Sequence, residues 1–132
     1  METPGDINDR TSHLLGFDLR SEIRRARDLA VKAAQARALA DHMEHTRKVV
    51  LAEQIIAARH NAKASGEKPP ATEIEARART SKPYRIHLDA LKDAQEARGT
   101  LYAESSAADR AVDLGFRQLS FLQSEIRSEA RG

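Results

Sequence analysis

A chain of 132 residues that is 32% charged and only 4% aromatic, with no tryptophan and no cysteine, lacks the large apolar residues for a thick multilayer core. It also lacks the thiols for disulfides or thiolate zinc sites. Its formal net charge of +2 does not by itself imply nucleic acid, and no stretch approaches the roughly 18 continuous apolar residues of a membrane span. The abundance of Ala, Glu, Lys, Leu and Arg is that of long helices. The expected fold is all-α: a long antiparallel two-helix hairpin, coiled-coil-like, with a short helix in its connector, forming one domain over residues 13–132.

Residues 1–12 include Pro4 and Gly5 and offer almost nothing to bury, so a disordered tail is expected there. The first ten residues have no apolar run and do not read as a signal peptide. With the absence of cysteine, that points to the cytoplasm. Asp18 is the expected N-cap of a first long helix over about 18–64, with Glu22 in its first turn facing the helix dipole. No Pro or Gly interrupts this stretch. Leu29, Ala33, Ala36, Ala40, Met43, Val50 and Ala57 recur at 3–4 spacing, with Arg47 and Gln54 as polar interruptions. At 1.5 Å per residue such a helix is about 70 Å long and needs a partner for its stripe.

The connector, residues 65–81, contains Gly66 as a C-cap glycine, then Pro69 and Pro70. Thr72-Glu-Ile-Glu75 fits a capping box, with Thr72 as N-cap of a short helix ending near Thr80. Ser81 is the expected N-cap of the second long helix, about 82–129, with Pro83 tolerated in its first turn. Its expected seam is Tyr84, Leu88, Leu91, Gln95, Arg98, Tyr102, Ser105, Asp109, Val112, Phe116, Leu119, Gln123 and Ile126, at coiled-coil spacing. Gly99 is a point at which this helix could break and give a three-helix arrangement.

Folding the second helix back from the connector sets Ala36–Ala40 against Ser105–Ala108. Leu88 and Leu91 then face Val50 to Ile56, and Phe116 and Phe121 lie over Ala26 and Ala30. Small meets small and large meets small, as a closely packed pair requires. The expected packing residues are Ala36, Ala40, Met43, Val50, Leu88, Leu91, Ser105, Ala108, Val112, Phe116 and Leu119. One stripe per helix cannot also absorb Ile23, Leu39, Val49, Leu51, Ile55, Leu101, Leu114 and Leu122. Leftover apolar surface of this kind points to a homo-oligomer or a partner protein.

Little in the chain suggests chemistry. Asp41-His42-Met43-Glu44-His45 is the one His/acid cluster, and two histidines without a third ligand do not make a zinc site. His13, His60 and His87 are isolated and expected to be exposed. Ser105 and Ser106 have no histidine near in sequence. No glycine-rich loop opens a helix, so nothing points to a nucleotide. No catalytic residue, metal, cofactor or small-molecule substrate is expected. Arg20, Arg24 and Arg27 share a stripe at i, i+4, i+7, flanked by Arg25 and Lys32, and such a patch can neutralise phosphates. Without interleaved aromatics it does not read as a single-strand-binding platform.

The long polar helix, Ser65-Gly-Glu-Lys68, the short Thr72-Glu-Ile-Glu75 helix, Tyr84 opening the second helix and the late Ser120, Ser124, Glu125 and Arg127 resemble small phage-encoded helical hairpin proteins found near recombination and replication genes. The resemblance covers about 30–130. It implies a non-enzymatic accessory protein in the cytoplasm of a bacterial host. From the residues themselves the expectation is a helical interaction or scaffold protein that self-associates or binds a partner protein. The alternative is an accessory nucleic-acid-binding protein using the Arg20–Lys32 patch.

Overall fold

A computed structural model describes residues 18–131. The expected tail over 1–12, and His13, lie outside them. The described residues form three helices: α1, Leu19–Ala64; α2, Ala71–Arg79; and α3, Lys82–Arg131. They account for 92% of the described residues, none of which is in a strand, and the two long helices pack against each other. The described residues divide into two compact units, one built from those up to Ala33 and those from Thr100 onward, the other from Ala34–Gly99. Each unit therefore holds a segment of both long helices, and the second also holds α2.

Asp18 starts α1 as its side chain dictates. Its carboxylate accepts the Arg20 backbone N–H at 3.0 Å and the Ser21 hydroxyl at 2.8 Å, while its carbonyl takes the Glu22 N–H. The Ser21 hydroxyl, with the Ser21 and Arg20 backbone N–H groups, holds the Asp18 carboxyl below the ordinary aspartate range. A carboxyl depressed in the folded state adds stability above its unfolded pKa of about 3.9 and loses that contribution as pH falls through the folded value. Asp18→Asn, which keeps a capping oxygen but cannot ionise, should flatten the acid limb of the melting-temperature profile between about pH 5 and pH 2. A variant whose melting temperature falls in acid as steeply as the parent's would show that the cap is not ionisation-dependent.

The far end of α1 closes at Gly66, φ 73°. Glu67 N–H reaches the Ala62 carbonyl at 2.9 Å and Gly66 N–H the Lys63 carbonyl at 3.2 Å. This crossed pair satisfies two carbonyls at the helix end and needs a left-handed residue between them. The connector departs from expectation at Thr72. Helix α2 begins two residues earlier, after Pro70, whose extended backbone (φ −65°, ψ 159°) serves as the cap with no side-chain bond. The Pro70 carbonyl accepts from Glu73 and Ile74. Proline fixes its own φ and so makes the turn without a hydroxyl, which leaves Thr72 exposed inside the first turn. Glu75 does not reach back either: it pairs with Arg79 at 2.8 Å, while Arg77 bridges Glu73 and Glu67, each at 3.0 Å. Both guanidiniums are held above their ordinary pKa by these carboxylates, although exposed pairs of this kind contribute little stability. Ser81 precedes α3, but its hydroxyl donates backward to the Ala78 carbonyl at 2.6 Å and so closes α2.

Helix α3 is continuous through Gly99. That glycine is exposed, and a Cβ added there would meet nothing within 4 Å. It therefore carries the entropic cost of glycine with no packing return. Gly99→Ala is expected to stabilise the protein by about 1 kcal/mol, read as a higher urea midpoint; a lower midpoint would mean that the helix needs the glycine.

Burial fixes the seam. On α1 the buried or half-buried positions run Leu19, Ile23, Ala26, Leu29, Ala33, Ala36, Ala40, Met43, Arg47, Val50, Gln54, Ala58, Ala62, with Ala57 exposed. On α3 they run Tyr84, His87, Leu91, Ala94, Arg98, Leu101, Ser105, Ala108, Val112, Gly115, Leu119, Leu122, again at 3–4 spacing. Every second member of the expected α3 seam is thus displaced by one residue. Gln95, Asp109 and Gln123 turn outward; Tyr102 is 71% and Phe116 47% exposed. The observed phase puts Ala94, Leu101, Ala108, Gly115 and Leu122 inside in their place. Small apolar residues let helices approach closely and leave no amide or carboxylate without water.

Of the expected packing residues, Ala40, Leu91 and Ala108 are buried. Ala36, Met43, Val50, Leu88, Ser105, Val112 and Leu119 are half-buried, and Phe116 is 47% exposed. In the first unit Ala26, Leu29 and Ala108 form a cluster, with Leu101 and Val112 packed against it. The second unit buries Ala40 and Ala62 of α1, Ile74 and Ala78 of α2, and Tyr84, Leu91 and Ala94 of α3.

The register also differs from expectation. His87 meets the Met43 carbonyl at 2.8 Å and Arg98 meets Asp41 at 3.1 Å, so the start of α3 lies beside a part of α1 well before Val50 to Ile56. The reason is α2. With Ile74 and Ala78 buried at i, i+4, it is a packed element of the core rather than a spacer.

Candidate interaction surfaces

The arginine stripe lies on the first turns of α1. Arg20, Arg24, Arg25, Arg27 and Lys32 are all exposed. Among the described residues none of them is ion-paired, whereas Arg37, Arg47, Arg77, Arg79 and Arg98 each meet a carboxylate. Two clefts border the stripe. The first, about 410 Å³, is lined by Leu19, Ile23 and Phe116 together with Arg20, Arg24, Arg27 and Asp28. The second, about 460 Å³, lies between Ser21, Arg24, Arg25, Asp28, Leu29, Lys32 and Glu104. Sequence reasoning found the arginines but not the clefts. The apolar wall of the first cleft depends on Phe116 turning out of the seam, and the signal that could have shown this is Gly115, a small residue at seam spacing beside it.

His42, Asp41, Glu44 and His45 are exposed, and no group of His, Asp or Glu among the described residues could hold a metal ion. Asp41 is engaged by Arg98 and Arg37, and Glu44 by Arg47. His60 is exposed. His87 corrects the expectation of an exposed ring: it is half-buried, and its Nε2 lies 2.8 Å from the Met43 carbonyl. Because a carbonyl only accepts, Nε2 carries the proton in this bond. Ser105 and Ser106 are half-buried along α3.

No known protein family, characterised protein or solved structure matches the chain. The surface itself is then the guide. Val31, Leu39, Val49, Ile56, Ile86, Tyr102, Leu114, Phe121 and Ile126 are exposed, Ile56 to 66% and Phe121 to 65%. Of the apolar residues expected to be left over, Leu39, Val49 and Leu114 are exposed, Leu51 and Ile55 are half-buried, and Ile23, Leu101 and Leu122 belong to the seam itself. No helix among the described residues is long and apolar enough to cross a membrane.

Proposed function

We propose that the chain is a non-enzymatic helical interaction protein, an antiparallel hairpin with coiled-coil spacing whose outer faces bind a second copy or a partner protein. One observation carries this reading. Half of the buried residues among those described are alanines, while larger apolar side chains such as Leu39, Val49, Ile56 and Phe121 stand more than half exposed. Removing such a side chain from water is worth about 1.5–3 kcal/mol, so covering several of them would drive association. The spacing of the seam supports the hairpin, as does the order of contacts: Arg98 meets Asp41 and His87 meets Met43. The resemblance to phage-encoded helical hairpin proteins belongs to the same reading and rests on the pattern of the sequence.

The test is mass in solution. Sedimentation velocity over a hundredfold range of concentration should show a species heavier than the 14.6 kDa chain, growing with concentration. A single monomeric species throughout would remove self-association, leaving the partner-protein form of the reading to be tested with a purified candidate.

The arginine stripe supports a second reading, contact with nucleic-acid phosphates. It predicts duplex or single-strand binding at low salt that falls steeply as salt rises.

A further inference from the structure

The arginine-bordered cleft has a counterpart elsewhere in the chain. On α3, Ile86, Asp89, Asp93 and Glu96 follow one another at spacings of three, four and three, and all four are exposed, Ile86 to 57%. Among the described residues these carboxylates form no ion pair, whereas Asp41, Glu44, Glu67, Glu73 and Glu75 do. The arginines at 20, 24 and 27 and the acids at 89, 93 and 96 have the same i, i+4, i+7 spacing. Each set spans about 10 Å of helix. Asp18, Glu22 and Asp28 offset part of the charge of Arg20, Arg24, Arg25, Arg27 and Lys32, and Arg85 and Lys92 offset part of the charge of the acids, yet the two stripes keep opposite net signs.

We infer that the cleft formed by Leu19, Ile23 and Phe116 takes the α3 stripe of a second copy of this chain, with Ile86 entering the cleft and Asp89, Asp93 and Glu96 meeting the arginines. This inference rests on the self-association reading and names its surface. Three observations carry it. The charges are complementary and matched in spacing. The cleft, about 410 Å³, has ample room for a branched side chain, since a cavity of about 150 Å³ already holds a benzene. The apolar wall formed by Leu19, Ile23 and Phe116 suits an apolar anchor flanked by acids better than a phosphate backbone, which offers no such anchor.

Charge reversal on the full chain tests it. R24E and D93R, both changes at exposed positions, should each weaken self-association at least tenfold in sedimentation velocity while leaving helical circular dichroism unchanged. Mixing R24E with D93R in equal amounts should restore assembly, and so should the double variant R24E/D93R, because the reversed charges then face each other. Should R24E lose helicity, R27E paired with E96R gives the same comparison. Parent protein that assembles while R24E and D93R assemble equally well overturns the inference and leaves self-association standing through another face. Single variants that fall apart without restoration by the mixture show that the stripes do not meet, which also overturns it. Monomeric parent protein overturns both the inference and self-association. Monomeric parent protein that binds a duplex oligonucleotide, with binding lost in R24E, assigns the cleft to nucleic acid instead.

Discussion

Leu91→Ala is expected to lower the free energy of unfolding by about 2–5 kcal/mol. Leu91 is 6% exposed in the segment of α3 that also buries Tyr84 and Ala94. Truncation removes its transfer free energy and leaves a cavity. Here the surroundings cannot refill that cavity cheaply, because the buried positions nearby are largely alanines with no rotamers to swing inward. A domain of this kind has roughly 5–15 kcal/mol of net stability, so the variant should lose a substantial part of it. Urea unfolding followed by circular dichroism measures the change. The control is Leu39→Ala, at a position 54% exposed, where a loss under about 0.5 kcal/mol is expected. Equal losses at the two positions would mean that the seam does not run through Leu91.

Enlarging a seam alanine should be nearly as costly. Ala40 is 2% exposed and Ala34 is exposed on the same helix. Alanine and leucine are both strong helix formers, so comparing Ala40→Leu with Ala34→Leu removes intrinsic propensity and isolates packing. Extra methylenes forced into a filled interface cost about 1–3 kcal/mol, and close approach between small residues leaves no slack to take them up. The Ala34 change should fall within about 0.5 kcal/mol of the parent. If Ala40→Leu stabilises instead, the interface has unfilled space and the tight seam inferred from burial is wrong.

The long helices were legible because their signals are local. An uninterrupted stretch from Leu19 to Ala64, an aspartate before it and a glycine with two prolines after it define α1 with no knowledge of tertiary structure. The phase of α1 was legible too, because Leu29, Ala33, Ala36, Ala40 and Met43 leave one apolar face. On α3 the sequence offers two phases one residue apart. Choosing between them means weighing Tyr102 and Phe116 against Leu101 and Gly115. Ranking by size favours the aromatics, but the facing surface of α1 is alanine-rich and admits the smaller set. The capping box failed for a related reason: Thr72 has the right neighbours, but the proline before Ala71 had already set the turn. As for the surface, charge periodicity exposed the arginine stripe, whereas the apolar wall beside it depended on the phase of α3 and could not be read before that phase was known.

The alanine-rich seam leaves the choice of alignment to other groups. Two helices lined with small residues at seven-residue repeats can slide past each other by one repeat and again present small against small, so methyl groups alone choose poorly between neighbouring frames. The His87 ring on the Met43 carbonyl and the Arg98 guanidinium on Asp41 have no such translational echo. A slip of seven residues would move His87 away from the partner it meets now and carry Arg98 past its carboxylate. These polar contacts act as a key cut for one alignment, much as a single polar residue fixes the frame of a coiled coil. Affinity between the helices and the choice of frame are thus assigned to different residues, and either could drift in evolution without the other.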